Sequence, residues 1–416
     1  MTRIRLPPAA RLVLSATFAT NVGNGMQMLA VARLLFDRTG SVSSFAGVIL
    51  LQYLVTLATT LFAGSLVDHA APKTVCTVVD GLRGLAVCVA SATLLPSHPA
   101  LAITVITLVI QLGKQFQRTA MFALEPRLVE AGLLARYNGA AVTCMQAGQL
   151  AGVSLCGVVL QAGGPIDAIF LNGLSFLASA ALVACARVPA GAPAPAPAAG
   201  APRGVRGVLH DWWSLARVIR MDRLLLTLLL LSAADYAVVD FINLSLVPID
   251  NASFAANPYW LSLLDGSFAI GAIVAGLGVD GAIARLGTAR AIVTGTGLQA
   301  ALYLALLPAH VGAAALAVLF GLGAASTLSS VAVTTALQLR IPRAMQGRLG
   351  ATRSLYVTVV AASLVPLVAQ AMSVGLRHGL LLAGVLSAAF FAFAAALLRL
   401  APPAVTGERG ESTPSS

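Results

Sequence analysis

Long apolar runs, separated by short polar or Pro/Gly-containing interruptions, cover nearly the whole chain. Runs of about 20 apolar residues have the length that a helix needs to cross a hydrocarbon core about 30 Å thick. Each run is predicted to be helical because no water in that core can satisfy another backbone conformation. The twelve runs are Leu12 to Leu35, Ser44 to Val67, Thr77 to Leu95, Ala100 to Phe122, Gly139 to Leu160, Ile166 to Ala186, Leu224 to Val247, Pro258 to Ile283, Ala291 to Leu307, Gly312 to Leu337, Leu349 to Ser373 and Leu380 to Leu400. The pattern predicts an all-α integral membrane protein with twelve transmembrane helices.

Two polar loops indicate an internal duplication. They share a leading glycine, a charge at the fifth position and a cation at the tenth: Gly64, Asp68 and Lys73 in the first, and Gly281, Arg285 and Arg290 in the second, 217 residues later. Pro126-Arg127 recurs as Pro342-Arg343, 216 residues on. Such offsets predict two pseudo-symmetric six-helix bundles.

A proline- and alanine-rich stretch separates the two predicted bundles. Its composition is typical of a semi-rigid linker, and the segment after it, GVLHDWWSLARVIRMDR, is predicted to form an interfacial helix anchored by tryptophan. The resulting organisation is an N-terminal bundle at 1–187, a cytoplasmic linker with the interfacial helix at 188–222, a C-terminal bundle at 223–401 and a disordered tail at 402–416.

The net charge of +11 reflects topology rather than a nucleic-acid partner. With the N-terminus in the cytoplasm, 22 of the 26 Lys and Arg residues fall at or near cytoplasmic helix ends. The positive-inside rule therefore predicts a multi-pass protein of the bacterial inner membrane with both termini cytoplasmic. The N-terminal apolar run is expected to be a retained first helix rather than a cleaved signal peptide, since no A-x-A-like site follows it.

Polar side chains within the predicted spans are candidates for a substrate cavity or for proton coupling. A carboxylate at the bilayer centre is unfavourable by about 2.5–3.5 kcal/mol on insertion scales and must face a cavity or a partner. The amides of the first helix are equally compatible with interhelical hydrogen bonding and with substrate contact. The candidates are Asn21, Asn24, Gln27, Gln146, Asp235, Asp240, Asn243 and Asp265.

Two of these carboxylates cannot share one environment. Asp235 and Asp240 are five residues apart, which is roughly 140° around a helix. One of the two aspartates can therefore be a structural group whose hydrogen bonds are satisfied within the protein. In the third helix, Asp80 and Arg83 lie on one face, and a pair that neutralises its own charge is more often structural than functional.

The sequence contains no motif that predicts an enzyme. It contains no Walker loop, HExxH, GxSxG or CxxC motif, and the five cysteines occur in or beside apolar segments without metal-ligand spacing. We expect no cofactor and no metal. A membrane enzyme or a sensor without transport activity is a minor alternative.

The chain resembles the major facilitator superfamily, and within it the bacterial efflux branch that includes the enterobactin exporter and macrolide efflux permeases. The marks are the twelve spans, the central linker, and several strings in shared order: LLFDRTGS at Leu34 to Ser41, GSLVDHAAPK at Gly64 to Lys73 followed by Asp80 and Arg83, EPRLVEAGLLARYNGA, IFLNGLSF at Ile169 to Phe176, and QLRIPRAMQGRLGA at Gln338 to Ala351.

The resemblance implies alternating access, in which two six-helix bundles rock about a central site and the proton gradient supplies the energy. It also implies that Asp68 lies against the cytoplasmic start of the eleventh helix and helps to lock the inward gate. Lys73, Arg118 and Arg348 are available as its cationic partners. The gating set is thus Gly64, Asp68, Lys73, Asp80, Arg83, Arg118 and Arg348.

Three positions depart from the pattern of the family. Gly23-Asn24 replaces a frequent Gly-Asp and removes a titratable group, Gly152-Val153 replaces the Gly-Pro of many antiporters, and Lys73 replaces an arginine pair. If proton coupling is retained, the seventh-helix aspartates are expected to carry it, because a buried carboxyl can bind and release a proton.

The function predicted from these features is proton-coupled export of a small amphiphilic organic molecule, such as a siderophore or a drug-like natural product. The alternative is an importer of a small organic solute on the same fold, since fold fixes neither direction nor substrate. The expected partners are this substrate, protons and the lipid bilayer, and the protein is expected to act as a monomer.

Overall fold

The computed structural model describes residues 5–39, 55–56, 58–60, 62–188, 205–254, 258–309 and 312–400. Within these ranges every regular element is a helix. The first helices are α1 (Pro8–Thr39), α2 (55–56, 58–60 and 62–69), α3 (Pro72–Thr93), α4 (Pro99–Leu128), α5 (Leu134–Ala162), α6 (Pro165–Cys185) and α7 (Val205–Met221). The others are α8 (Arg223–Ser253), α9 (Pro258–Leu286), α10 (Thr288–Ala309), α11 (Ala313–Arg340), α12 (Gln346–Val374) and α13 (Leu376–Leu400).

Nine of the described helices are long and apolar enough to cross a membrane, so a multi-pass membrane protein is confirmed. The start of the predicted second span, the linker residues 189–204 and the predicted tail lie outside the described residues. Several helices extend beyond the predicted spans. For example, α12 begins at Gln346 and α4 continues to Leu128. Polar residues do not stop a helix where it leaves the apolar core, so hydropathy alone predicts spans that are shorter than the helices.

Corresponding helices of the two predicted halves have similar lengths. Helices α1 and α8 have 32 and 31 residues, α3 and α10 have 22 each, and α5 and α12 have 29 each. A three-residue 3-10 helix precedes both α5 and α12, at Ala131–Leu133 and Arg343–Met345. The polar stretches at 64–73 and 281–290 fall at matching junctions, between α2 and α3 and between α9 and α10. Both were predicted as loops, but both are mostly helical, and the chain leaves the helix only at 70–71 and at 287.

Residues at the helix starts explain where the chain can begin a new helix. Proline occupies the first turn of α3, α4 and α6, where its missing N–H breaks no helical hydrogen bond. Asp222 caps α8 by accepting hydrogen bonds from the backbone N–H groups of Leu224 and Leu225 at 3.1 and 3.2 Å. Gly287, with φ of 78°, separates α9 from α10.

The described chain forms two compact units. The first comprises Met1–Met221 together with Gln338–Val360, and the second comprises Asp222–Leu337 together with Ala361–Ser416. In the first unit α1 packs on α5 and α6, and α3 packs on α4 and α6. In the second, α13 packs on α8 and α10. Apolar side chains fill both interiors, including Phe176 in the first and Phe241 and Tyr303 in the second, each completely buried.

Helix α7 is amphipathic, as the sequence predicts, but part of its apolar face is covered by protein. Leu215 and Ile219 are 1% and 8% exposed, whereas Trp213 is 73% exposed. Arg217 and Arg220 are exposed. Trp213 therefore remains available for the predicted interfacial anchor, while Leu215 and Ile219 hold the helix on the first unit.

Close contact between α1 and α5 depends on glycine. A Cβ on Gly152 would lie 2.1 Å from the backbone oxygen of Val22, whereas a Cβ on Gly157, on the same helix, would meet nothing within 4 Å. The Gly152→Ala variant is expected to lose about 1–3 kcal/mol of stability through overpacking. The Gly157→Ala variant is expected to gain about 0.5–1 kcal/mol from helix propensity. Thermal unfolding of both purified variants tests this, and equal melting temperatures would contradict the close contact.

Candidate functional site

The carboxylate of Asp68, at the end of α2, binds the first turn of α12. Its Oδ1 accepts a hydrogen bond from the Gly347 backbone N–H at 2.7 Å, and Oδ2 accepts one from the Arg348 backbone N–H at 3.2 Å. The Arg348 Nε also donates to Oδ2 at 2.5 Å. A helix N-terminus has unpaired N–H groups and a partial positive charge, so it favours a carboxylate. The ion pair is almost completely buried, with side-chain exposures of 3% for Asp68 and 9% for Arg348.

Gly64 lets the two helices approach closely enough for this contact. A Cβ at Gly64 would lie 2.8 Å from the Cβ of Ala351 and 3.1 Å from the Cα of Arg348. Gly64 and Asp68 are one helical turn apart, so both face α12. The leading glycine of the loop thus has a steric role, and its acidic residue has an electrostatic one.

Arg348 extends this cluster to α7. Its Nη1 donates to the Ser214 hydroxyl at 2.8 Å, and its Nη2 donates to the Ala344 carbonyl at 3.2 Å. Lys73, another suggested partner of Asp68, instead donates to the carbonyl of Ala184 at 2.8 Å. Arg118 is exposed on α4. Of the three suggested cations, Arg348 is the one that the structure pairs with Asp68.

A second polar network, which was not predicted from the sequence, joins α4, α5 and α11 at their ends. The Asn138 amide donates to the Gln338 side-chain oxygen at 2.8 Å, and the Gln338 amide donates to Glu125 Oε2 at 2.7 Å and to the Phe122 carbonyl at 3.2 Å. Gln346 donates to the Gln338 carbonyl at 3.2 Å. The side chains of this network come from the strings EPRLVEAGLLARYNGA and QLRIPRAMQGRLGA, whose polar residues were the signal for it in the sequence.

Asp80 and Arg83 form a buried pair inside the first unit, 2.5 Å apart. Gln117 and Ser179 also donate to Asp80, at 2.9 and 2.7 Å, and the Arg83 guanidinium lies 3.9 Å from the centre of the Phe176 ring. The carboxylate is therefore well satisfied within one helical bundle. These contacts favour the structural interpretation of the pair over a role in gating.

The amides of the first and fifth helices occupy different environments. Gln27 accepts a hydrogen bond from Asn172 of α6, and Asn21 donates to the Thr17 carbonyl of its own helix at 2.8 Å. Asn24 is exposed and Gln146 is partly exposed. Asn21 and Gln27 are also partly exposed, so what distinguishes them is a hydrogen bond within α1 and one to α6, respectively.

Asp235 lies in a buried polar cluster of the second unit. It is 3% exposed, and its Oδ1 accepts hydrogen bonds from the Ser329 hydroxyl and from the Gln299 amide, the latter at 2.8 Å. Gln299 also donates to Ser329 at 2.7 Å. Helices α8, α10 and α11 therefore meet at one carboxylate. Ser329 belongs to the small, hydroxylated run of α11, and here it donates to a charged group.

The other polar candidates of the second unit are more accessible. Asp240 is partly exposed, and Asn243 and Asp265 are exposed. The different burial of Asp235 and Asp240 agrees with the angle of roughly 140° between them on one helix. No group of three or more His, Cys, Asp or Glu side chains suited to hold a metal ion occurs within the described ranges.

Comparison with known proteins places these features in a family. The model of the Major Facilitator Superfamily matches residues 13–366. The chain is 30% identical over 185 residues to the "Multidrug efflux pump Tap" of Mycobacterium tuberculosis, a match that covers 42% of this chain and 44% of that protein. The chain therefore aligns with less than half the length of this curated relative.

Solved structures of the same fold cover almost all of the chain. A bacterial homologue of the iron transporter ferroportin in an outward-facing state has a TM-score of 0.74 at 17% identity, covering 95% of this chain and 99% of its own. The Escherichia coli fucose:proton symporter has a TM-score of 0.74 at 14% identity, covering 93% and 98%. The family match extends over most of the chain and confirms a membrane transporter rather than an enzyme. The protein belongs to the Major Facilitator Superfamily.

Proposed function

We propose that the protein is a secondary transporter of the bacterial inner membrane that exports a small amphiphilic organic molecule. The observation that carries the direction of transport is the 30% identity to a multidrug efflux pump over 185 residues. A siderophore and a drug-like natural product are the two substrate classes that we consider, because both are amphiphilic compounds that a producing cell must release.

The proposed mechanism is alternating access between two six-helix bundles, with twelve spans and both termini in the cytoplasm. Paired helix lengths and paired loops support the duplication, and the distribution of cations supports the orientation. We propose that Gly64, Asp68 and Arg348 form a cytoplasmic lock. The lock closes when the carboxylate binds the start of α12, and it opens when the three hydrogen bonds to Asp68 break. The protein is proposed to complete this cycle as a monomer.

Proton coupling is proposed to use the carboxylates of the second unit. Asp235 is the buried candidate, with two hydrogen-bond donors at one oxygen, and Asp240 and Asp265 are the accessible candidates. An accessible carboxylate can exchange a proton with water, and a buried one can couple its charge to helix movement.

Import of a small organic solute is the second candidate function. It is favoured by the shared fold with a fucose:proton symporter, although at 14% identity the likeness concerns the fold alone. The two functions predict opposite metabolite changes in a strain that lacks the gene.

Metabolite profiling of that deletion strain, grown with and without iron, tests the proposal. Export predicts that one compound accumulates inside the cells and is depleted outside, and dependence on low iron would identify a siderophore. Complementation with the wild-type gene should restore release, whereas complementation with the Asp68→Asn variant should not. An unchanged exometabolome with slower removal of a solute from the medium would instead establish import.

A further inference from the structure

A cavity of about 730 Å³ opens at the ends of α1, α4 and α6 in the first unit. Three arginines line it, Arg127, Arg187 and Arg343, together with one acidic residue, Glu130. The ionisable lining therefore carries a net charge of +2. A volume of this size falls within the range of about 300–1,000 Å³ that is typical of small-molecule sites.

The protein compensates the arginine charges in this cavity only in part. The Nε of Arg127 is buried without a hydrogen-bond partner, and the positive charge of Arg127 is repelled by Arg343 and attracted by Asp68. Buried donors are normally satisfied, so an unmet guanidinium N–H indicates a missing acceptor. The adjoining stretches 1–4 and 189–204 contain no Asp or Glu that could supply a carboxylate.

The rest of the lining is apolar. Pro7, Leu12, Leu128 and Val129 line the cavity beside the arginines. A ligand that fits both parts must have an anionic head with several hydrogen-bond acceptors and an attached apolar portion. Arginine is suited to such a head because its planar fork of donors matches the oxygens of a phosphate group.

We propose that this cavity binds the phosphate group of an anionic phospholipid from the cytoplasmic leaflet. The start of α1 and the ends of α4 and α6 all lie on the cytoplasmic side in the proposed topology, where anionic lipids are attracted to basic pockets between spanning helices. The arginines hold the phosphodiester, and the proline and aliphatic side chains contact the glycerol and the first acyl carbons. Free inorganic phosphate could contact the same arginines, but it has no apolar portion to contact the proline and aliphatic side chains.

Native mass spectrometry of the purified protein with added phosphatidylglycerol tests the site. The Arg127→Gln/Arg187→Gln variant is expected to bind this lipid about tenfold more weakly or worse, since one charge-assisted hydrogen bond contributes about tenfold in affinity. The matched control is Arg285→Gln/Arg290→Gln, which removes the same charge from exposed arginines outside the cavity and should bind as the wild type. Phosphatidylcholine, which has no net charge, should bind weakly to all three proteins.

A second measurement uses the unmodified cavity and does not depend on the folding of a variant. Cys185 is an exposed residue of the lining, so its alkylation by a maleimide should slow at least about threefold when the site fills at a lipid concentration above twice Kd. Unchanged alkylation with phosphatidylglycerol, or wild-type lipid binding by Arg127→Gln/Arg187→Gln, would overturn the proposal. Displacement of the lipid by millimolar inorganic phosphate would also overturn it, because the occupant would then be soluble phosphate. Neither measurement requires transport, so the outcome is independent of the proposed export function.

Discussion

The Asp68→Asn variant is expected to lose most substrate efflux, by at least about tenfold, while still reaching the membrane. Asparagine keeps one acceptor for the Gly347 N–H but places an amide NH₂ opposite two donors of Arg348, its backbone N–H and its Nε. Breaking a buried ion pair by removing one partner has a penalty of about 3–5 kcal/mol. A shift of that size in the equilibrium of the proposed lock changes the populations of its states by a factor of 100 or more.

Efflux of a fluorescent substrate from energised cells, normalised to protein in the membrane, measures this effect. The control is Lys73→Gln, a charge change in the same polar stretch at a partly exposed residue that makes one hydrogen bond, to the Ala184 carbonyl. It should reduce efflux less than about threefold, because exposed charge interactions contribute about 1 kcal/mol or less. The double variant Asp68→Asn/Arg348→Gln should be no worse than the single one if the two residues act as a pair. Wild-type efflux by Asp68→Asn would refute the lock.

The Asp235→Asn variant is expected to reduce proton-driven flux by about tenfold or more if this carboxylate carries the proton. The substitution conserves volume and keeps an oxygen that accepts from Gln299 and Ser329, so the packing of α8, α10 and α11 should persist. What the variant loses is the ability to bind and release a proton. Asp240→Asn tests the accessible candidate on the same helix in the same way.

Substrate uptake into inside-out membrane vesicles, driven by an imposed pH gradient, separates coupling from binding. A coupling residue affects gradient-driven flux much more than counterflow exchange of substrate, whereas a purely structural residue affects both. The matched control is Asp250→Asn, which makes the same chemical change at another buried carboxylate of α8, 4% exposed. If Asp235→Asn and Asp240→Asn both retain proton-driven flux, the proposed role of these α8 aspartates is wrong.

The sequence was sufficient to predict a membrane protein, because membrane insertion depends on hydropathy along the chain. Apolar runs of sufficient length, interrupted by Pro, Gly and charge, mark spans whatever their neighbours are. The repeat of GSLVDHAAPK as GAIARLGTAR and the resemblance to the superfamily then gave the family, which the match over residues 13–366 confirms. The sequence also predicted α7, because its apolar residues and its arginines fall on opposite faces of a helix.

The partners of the polar side chains could not be predicted in the same way. Asp68 and Arg348 are 280 residues apart, and Gln299 and Ser329 reach Asp235 from two other helices. Three cations were equally plausible partners of Asp68 in the sequence, and only the position of α12 selects Arg348. Likewise, Gly152 and Gly157 are equivalent in sequence, but only Gly152 faces another backbone.

The sequence by itself therefore determined that this chain is an all-helical membrane protein with the loop and repeat pattern of a transporter family. Tertiary structure alone decided that Arg348, and not Lys73, pairs with Asp68, and that three arginines share one cavity. The physical reason is that hydropathy acts along the chain, residue by residue. A hydrogen bond or a close packing contact instead depends on which distant segments the folded helices bring within about 3–4 Å of each other.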